Sequence, residues 1–196
     1  MAQQGPNPIE MYEAAAQGFR QRLSGVQSNQ MSSPTPCTEW DVQALINHNI
    51  NATGFAEGVF RGNVTVNPQD VSGPLPGANA LEALDAGLAK VVDAVKASGS
   101  LDEQIDTPFG PMTRGVFLID MACDLLVHTW DLAKGTNQNT TLDSGLVEVI
   151  YHAFAPQMDG MRQMEFNGIK PMGPEVSVPA SASLQDRFIG MMGRQP

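Results

Sequence analysis

The stretch TRGVFLIDMACDLLVHTWDLAKG, residues 113–135, decides the fold. Its apolar residues recur every three or four positions, the spacing that places them on one face of an α-helix. We expect Thr113 to cap the start of this helix and Gly135 to follow its end. The inward face also contains two polar residues, Asp124 and His128, which are four residues apart and therefore project side by side from successive turns.

Three more amphipathic helices precede this stretch. Apolar residues at helical spacing predict helices over residues 8–25, 40–61 and 80–97. Thr38 is expected to cap the second of these helices, because it heads a variant of the capping box. Residues 64–79 are rich in proline and glycine, which predicts a long crossover between the second and third helices.

Shorter elements complete the chain. Residues 106–112 include two prolines and a glycine, so we expect a turn-rich connection before the fourth helix. A fifth helix is predicted over residues 144–165. The tail is expected to hold an extended piece at 175–179 and a final helical turn or two at 184–192.

Together these elements predict an all-α four-helix bundle. A chain of 196 residues with 42% hydrophobic and 16% charged residues can bury a sizeable core. We expect a single domain over residues 1–196, in which residues 167–196 form a C-terminal tail packed on the bundle.

The net charge of the chain argues against two classes of partner. Eleven basic and 21 acidic side chains give a formal net charge of −10, which disfavours binding to nucleic acid and to anionic membranes. No apolar run is long enough to span a bilayer, and the N-terminus lacks the features of a signal peptide. We therefore expect a cytoplasmic protein, whose two cysteines, Cys37 and Cys123, are reduced thiols.

A third ligand-type residue, His48, lies on the inward face of the second helix beside Leu45 and Phe55. Two imidazoles and one carboxylate are the donors found in catalytic zinc sites and in non-haem iron sites, which leave a position for water or substrate. The alternative is a buried, hydrogen-bonded cluster of Asp124 and His128, because a carboxylate is costly to bury without a partner. Spacing alone favours neither interpretation.

Longer motifs resemble a known family. The segments TPCTEWDVQALINH, residues 35–48, and DLLVHTWDLA, residues 124–133, are typical of the DinB-like superfamily. Within that superfamily they most resemble the N-terminal domains of the mycothiol-dependent maleylpyruvate isomerases and their relatives. The segments TPFG at 107–110 and DRFIGMMGRQP at 186–196 extend the resemblance over nearly the whole chain.

The resemblance implies a DinB-like bundle that binds a divalent metal through one histidine of the second helix and a carboxylate–histidine pair of the fourth. His48, Asp124 and His128 occupy the matching positions, with Asp124 where the isomerases have glutamate. Zinc is the expected ion, although nickel, iron and manganese suit the same donors. The implied partners are a small-molecule thiol, namely mycothiol, and an electrophilic substrate. Members of the superfamily often pair through bundle faces, so a homodimer is one expected assembly.

Four other polar residues are candidates for supporting roles. Asp131 follows His128 by three positions and is expected either to orient its imidazole or to bond locally near the helix end. His152 is a candidate proton shuttle, with a packing or surface role as the alternative. Arg187 and Arg194 are candidates for binding a substrate carboxylate if the tail folds over the site.

Three functions follow from such a site. The resemblance implies a thiol-dependent transferase or isomerase, in which an open metal position activates the thiol. A metal-dependent hydrolase, with metal-bound water as its nucleophile, would use the same donors. A non-catalytic metal-binding or partner module is the third alternative, and no catalytic acid or base is assigned.

Overall fold

A computed structural model describes residues 7–75, 79–97, 99–164 and 173–196. The chain forms two compact units, residues 1–140 and 141–196. The elements of the first unit are α1 (Pro8–Ser24), α2 (Val42–Arg61), α3 (Ala80–Ala97), β1 (Gln104–Thr107), β2 (Gly110–Thr113) and α4 (Arg114–Gly135).

The four long helices of the first unit form the predicted bundle, and the all-α fold class is confirmed. α1 packs against α4, α2 packs against α3, and contacts of α2 with α4 and of α1 with α3 close the bundle. Fully buried side chains fill its interior, among them Phe19, Leu45, Leu84, Phe117 and Leu132. The helix bounds agree with the predicted bounds to within a residue or two, except at the start of α2.

α2 begins later than predicted. Its N-cap is Asp41 rather than Thr38, and the Asp41 side chain accepts a hydrogen bond from a first-turn amide at 2.8 Å. Before it, the Trp40 amide donates to the Cys37 carbonyl at 2.8 Å, which closes a turn. The Thr35 hydroxyl donates to the Trp40 carbonyl at 2.7 Å. These local bonds satisfy the backbone outside a helix, so helical structure starts only after them.

A β-hairpin occupies residues 104–113, where the sequence predicted only a turn-rich connection over 106–112. β1 and β2 pair antiparallel with four residues each. Their turn closes through the Thr107 hydroxyl, which donates to the Gly110 carbonyl at 2.7 Å. Gly110 has a φ of 106°, a left-handed conformation that favours glycine. Strands this short give too little alternation to be recognised in a sequence.

The predicted crossover between α2 and α3 is confirmed. Gly62 ends α2 in the left-handed conformation, with a φ of 69°. The chain then runs without regular secondary structure through residue 75, and residues 76–78 lie outside the described residues.

The second unit contains α5 (Ser144–Phe154), α6 (Met158–Gln163) and α7 (Leu184–Met191). The helix predicted over 144–165 is interrupted by a 3₁₀ turn at Ala155–Gln157. Pro156 causes the interruption, because it has no amide to donate to the preceding turn. Glu165, the predicted last residue of that helix, lies outside the described residues. The helical turns predicted at 184–192 are confirmed by α7.

The single domain of residues 1–196, with residues 167–196 packed on the bundle, stays a prediction. Residues 167–172 of that tail lie outside the described ranges. Among the helices that the structure describes, none combines the length and the hydropathy needed to cross a membrane.

α2 and α3 approach so closely at Gly87 that a Cβ atom there would overlap Thr53 of α2. Thr53 is buried and β-branched, and its hydroxyl donates to the Ile50 carbonyl, so it has little freedom to turn away. We expect Gly87→Ala to lower the free energy of unfolding by about 1–2 kcal/mol, because overpacking costs about 1–3 kcal/mol and alanine's helix propensity recovers up to about 1 kcal/mol. Denaturant-induced unfolding measures the change.

Gly160→Ala in α6 is the matched control, because no atom lies within 4 Å of a Cβ at that position. This variant should be as stable as the wild type or slightly more stable. Equal unfolding midpoints for the two alanine variants would contradict the close approach of α2 and α3.

Candidate metal centre

Asp124 lies between two imidazoles that come from different helices. α4 presents Asp124 and His128 one turn apart, and α2 presents His48. His48 Nε2 lies 3.3 Å from Asp124 Oδ2, and His128 Nε2 lies 3.4 Å from Asp124 Oδ1. The side chains of both histidines are 6% exposed, whereas that of Asp124 is 33% exposed. The cluster is therefore open to solvent on the side of the carboxylate.

The Nδ1 atom of each imidazole has its own acceptor. His128 Nδ1 lies 3.0 Å from Oδ2 of Asp131, a fully buried carboxylate three residues further along α4. His48 Nδ1 lies 2.9 Å from the carbonyl oxygen of Pro68 in the crossover. A carbonyl oxygen or an ionised carboxylate can only accept, so each Nδ1 donates its hydrogen and each Nε2 is turned toward Asp124.

The charges of the cluster shift two pKa values in opposite directions. Burial favours a higher pKa for Asp124, but the imidazoles of His128 and His48 outweigh it and hold that pKa well below its usual range. Burial favours a lower pKa for His128, but the carboxylates of Asp124 and Asp131 outweigh it and raise the pKa to about 9. Without a metal, the cluster therefore holds an ionised carboxylate beside a protonated imidazole at neutral pH.

Trp40 covers both imidazoles. Its ring centroid lies 4.5 Å from that of His48 and 5.7 Å from that of His128. The amide and the carbonyl of Trp40 are both fixed by hydrogen bonds in the turn before α2. The helical pattern placed Trp40 at the start of the predicted helix that carries His48, but this position does not show that the indole packs on both imidazoles.

A small cavity lies beside Asp124. Its lining includes Tyr12, Asn49 and Met121, and its volume of about 10 Å³ has room for about one water. Burial, reinforced by Asp124, raises the pKa of Tyr12 above its usual range, so the phenol stays protonated. Among the described residues, Asn49 Oδ1 has no hydrogen-bond partner. The lining of the cavity is mainly apolar, and the cavity is too small to hold a substrate.

Asp120 lies one turn before Asp124 on α4 and was missed by the sequence analysis. Its side chain is half-buried, and burial raises its pKa to about 7. The spacing of four residues from Asp124 was visible in the sequence, and it could have drawn attention to this carboxylate. Its burial could not be recognised there, since it depends on how the other elements pack around α4.

The remaining candidates lie in the second unit, apart from the cysteines. His152 is exposed, with its ring 5.5 Å from that of Tyr151. Arg187 donates to the Ala180 carbonyl, and Arg194 donates to the Met192 carbonyl. Their roles toward the metal or a substrate stay predictions. Both cysteines, the half-buried Cys37 and the buried Cys123, are present as thiols, as predicted.

Residues 12–133, which include all three predicted ligands, match the family model described as the mycothiol maleylpyruvate isomerase N-terminal domain. Two uncharacterized proteins of Mycobacterium tuberculosis, from strains CDC 1551 / Oshkosh and H37Rv, are each 30% identical over 192 residues, which is 96% of this chain and 98% of theirs. The crystal structure of a mutant of the mycothiol-dependent maleylpyruvate isomerase matches with a TM-score of 0.54 at 15% identity. The match covers 77% of this chain and 68% of that chain, and it shows a shared fold.

The raised pKa of Asp120 predicts a pH-dependent loss of stability. The carboxylate ionises near pH 4 in the unfolded chain but only near pH 7 in the folded chain, so stability falls as the pH rises through this range. We expect Asp120→Asn to remove that loss. At pH 8 the metal-free variant should be more stable than the wild type by roughly 1–3 kcal/mol, with a smaller difference at pH 5. Denaturant unfolding at both pH values measures the gap.

Asp93→Asn is the matched control, because Asp93 is an exposed aspartate of α3. It should not change the difference in stability between the two pH values. A pH-independent effect of Asp120→Asn, or a loss of stability at pH 8, would show that Asp120 is not held neutral by burial.

Proposed function

The chain belongs to the family of mycothiol maleylpyruvate isomerase N-terminal domains, and on that premise we propose that it is a thiol-dependent metalloenzyme. Its divalent ion is held by His48, Asp124 and His128. Its first substrate is a small-molecule thiol of the mycothiol class, and its second is an electrophile that the thiol attacks or isomerises.

The orientation of the two imidazoles carries this proposal. Each ring donates through Nδ1 to an oxygen outside the cluster, at 2.9 Å for His48 and 3.0 Å for His128. That contact fixes the orientation of each ring and directs its Nε2 atom toward the shared carboxylate, the arrangement in which metal-binding histidines are held. Asp131 supplies the carboxylate of a carboxylate–histidine–metal chain on one side, and Pro68 supplies a backbone carbonyl on the other.

The donor atoms fit one divalent ion. All three lie within 4.8 Å of one another. His48 Nε2 lies 3.3 Å from one carboxylate oxygen of Asp124 and His128 Nε2 lies 3.4 Å from the other, separations close to those of donors bound at about 2.0–2.2 Å to one ion. Zinc suits two imidazoles and a carboxylate best, and nickel, iron and manganese accept the same set.

A purely structural cluster explains less of this arrangement. One imidazole is enough to neutralise Asp124, yet His48 adds a second buried ring whose desolvation must also be compensated. Buried ion clusters are an inefficient source of stability compared with apolar packing. The second imidazole has a clear use only if the cluster binds a cation.

A divalent ion held by these donors supplies Lewis acidity, which lowers the pKa of a thiol that reaches it. The residues of the chain determine access and protonation around it. Trp40 shields the imidazoles from one side, so substrates approach by the exposed side of Asp124. Tyr12 keeps its proton and can donate a hydrogen bond beside the carboxylate.

Metal content tests the ligand set. We expect purified, untagged protein to hold one zinc per chain after reconstitution, measured by elemental mass spectrometry. The double variant Asp124→Ala, His128→Ala should hold only background metal, because two of three donors are gone. Nickel or cobalt should also quench the emission of Trp40, whose ring lies against both imidazoles, and Trp40→Phe should abolish that response.

His152→Ala is the matched control, because His152 is an exposed histidine that is not part of the donor set. It should keep the zinc and the quenching. A wild-type protein that holds no metal after reconstitution would refute the metalloenzyme and leave a buried polar cluster.

Thiol binding is tested on protein reconstituted with cobalt. Added mycothiol should produce a sulfur-to-cobalt charge-transfer absorption band in the near ultraviolet, because the open position accepts the thiol. S-methylated mycothiol should produce no such band, since it has no thiol to ionise. The same protein should consume an electrophile only when mycothiol is present.

Two other outcomes would point to different functions. Turnover of an ester or amide without any thiol, and no charge-transfer band, would indicate a hydrolase. Metal binding with neither the band nor any turnover would indicate a non-catalytic metal-binding module.

A further inference from the structure

Three amide side chains attach the crossover to α2. They are Gln43, Asn47 and Asn51, which are spaced four residues apart and therefore lie along one face of the helix. Their acceptors are backbone carbonyls of residues 67–73, which we name the crossover segment.

Each amide donates to the segment at hydrogen-bond distance. Gln43 Nε2 donates to the Gly73 carbonyl at 3.0 Å. Asn47 Nδ2 donates to the carbonyls of Val71 and Gly73, both at 3.1 Å. Asn51 Nδ2 donates to the Asp70 carbonyl at 2.8 Å. The crossover segment is therefore held over more than two turns of the helix by side chains rather than by secondary structure.

The middle amide is oriented by the segment alone. Asn47 is 3% exposed, and its Oδ1 has no hydrogen-bond partner within the described ranges. Leaving a buried oxygen unpaired costs about 1–3 kcal/mol. If the Asn47 amide were flipped, its oxygen would face the carbonyl oxygens of Val71 and Gly73. This repulsion keeps both N–H groups of the amide directed at the segment.

The same segment orients one of the predicted ligands. Pro68 presents its carbonyl to His48 Nδ1 at 2.9 Å, and Pro68 lies two residues before Asp70, the acceptor of Asn51. The position of that carbonyl therefore depends on the amides that hold its neighbours. His128 differs, because its acceptor Asp131 belongs to the same helix.

We propose that the crossover segment orients a ligand of the metal centre, because its Pro68 carbonyl fixes the His48 ring. Gln43, Asn47 and Asn51 are positioning residues, which hold the segment and thereby that carbonyl in place. The inference rests on the proposed function for the identity of the bound ion. Binding of the ion and packing of the crossover segment against α2 are then coupled. The packed segment raises the affinity for the ion, and the bound ion favours the packed segment by the same factor. An ion bound by His48 slows the opening of residues 67–73, and a loosened segment weakens binding of the ion.

The test uses Gln43→Ala, Asn51→Ala as a double variant, because both side chains are half-buried and neither is a ligand. Zinc affinity, measured by competition with a chromophoric chelator, should fall about tenfold, the lower end of the effect seen for groups that orient a ligand. In metal-free protein labelled with ¹⁵N-histidine, His48 should show a protonated Nδ1 in the wild type. The variant should show a mixture of ring forms. Amide hydrogen exchange across 67–73 should slow when zinc binds the wild type.

Ser72→Ala is the matched control. Its hydroxyl donates to Asp70 Oδ1 at 2.6 Å, a bond within the segment that does not reach α2. It should keep both the zinc affinity and the His48 signature. The circular dichroism spectrum and the unfolding midpoint of each variant verify that the bundle is intact.

Unchanged affinity and an unchanged His48 spectrum in the double variant would overturn the proposal. An equal loss in Ser72→Ala would also overturn it, because general order of the loop would then matter rather than the amides. If the wild type binds no zinc, the proposed function fails, and the His48 spectrum of the metal-free variants alone decides whether the segment fixes the ring.

Discussion

The carboxylate of Asp124 lies between imidazoles of two different helices, and the surrounding bundle has to hold those three side chains within 4.8 Å of one another. Two of them are nearly inaccessible to solvent, so the cost of burying them must be compensated inside the cluster. The depressed pKa of Asp124 and the raised pKa of His128 show that each charge is stabilised mainly by the other. The cluster can persist in an apolar core only while the helices keep these distances.

Close helix packing provides that constraint, and the two imidazoles use it differently. His128 is held by a neighbour three residues away on its own helix, so α4 alone orients it. His48 depends on a carbonyl twenty residues further along the chain, in a segment with no regular secondary structure. The orientation of His128 is therefore as rigid as helix α4, whereas the orientation of His48 is only as rigid as the contacts that hold the crossover. Local opening of a loop costs less free energy than opening of a buried helix.

The sequence predicted the parts of this arrangement that depend on periodicity. Helical spacing located the four helices, and it placed Asp124 and His128 on one face. It could not locate the start of α2 at Asp41, which depends on competing local bonds. The interruption at Pro156 could have been predicted from the proline itself, which has no amide to continue the helix. The contact of Pro68 with His48 joins segments that no spacing rule connects, and a place at the start of the helical pattern did not show that Trp40 packs on both imidazoles. The resemblance of the longer motifs supplied the family, which neither periodicity nor spacing could give.

Protonation sets the condition under which such a site can bind an ion. Because the pKa of His128 is about 9 without a metal, an ion that binds Nε2 at neutral pH must displace a proton, so apparent affinity rises with pH. The carboxylate of Asp131 contributes to this raised pKa and therefore to the cost, but by accepting from Nδ1 it also makes Nε2 a stronger ligand. His48 has only a neutral carbonyl in the same position. The His128 imidazole is therefore surrounded by carboxylates that favour a positive charge, whereas the His48 imidazole is oriented mainly by its hydrogen bond to a backbone carbonyl.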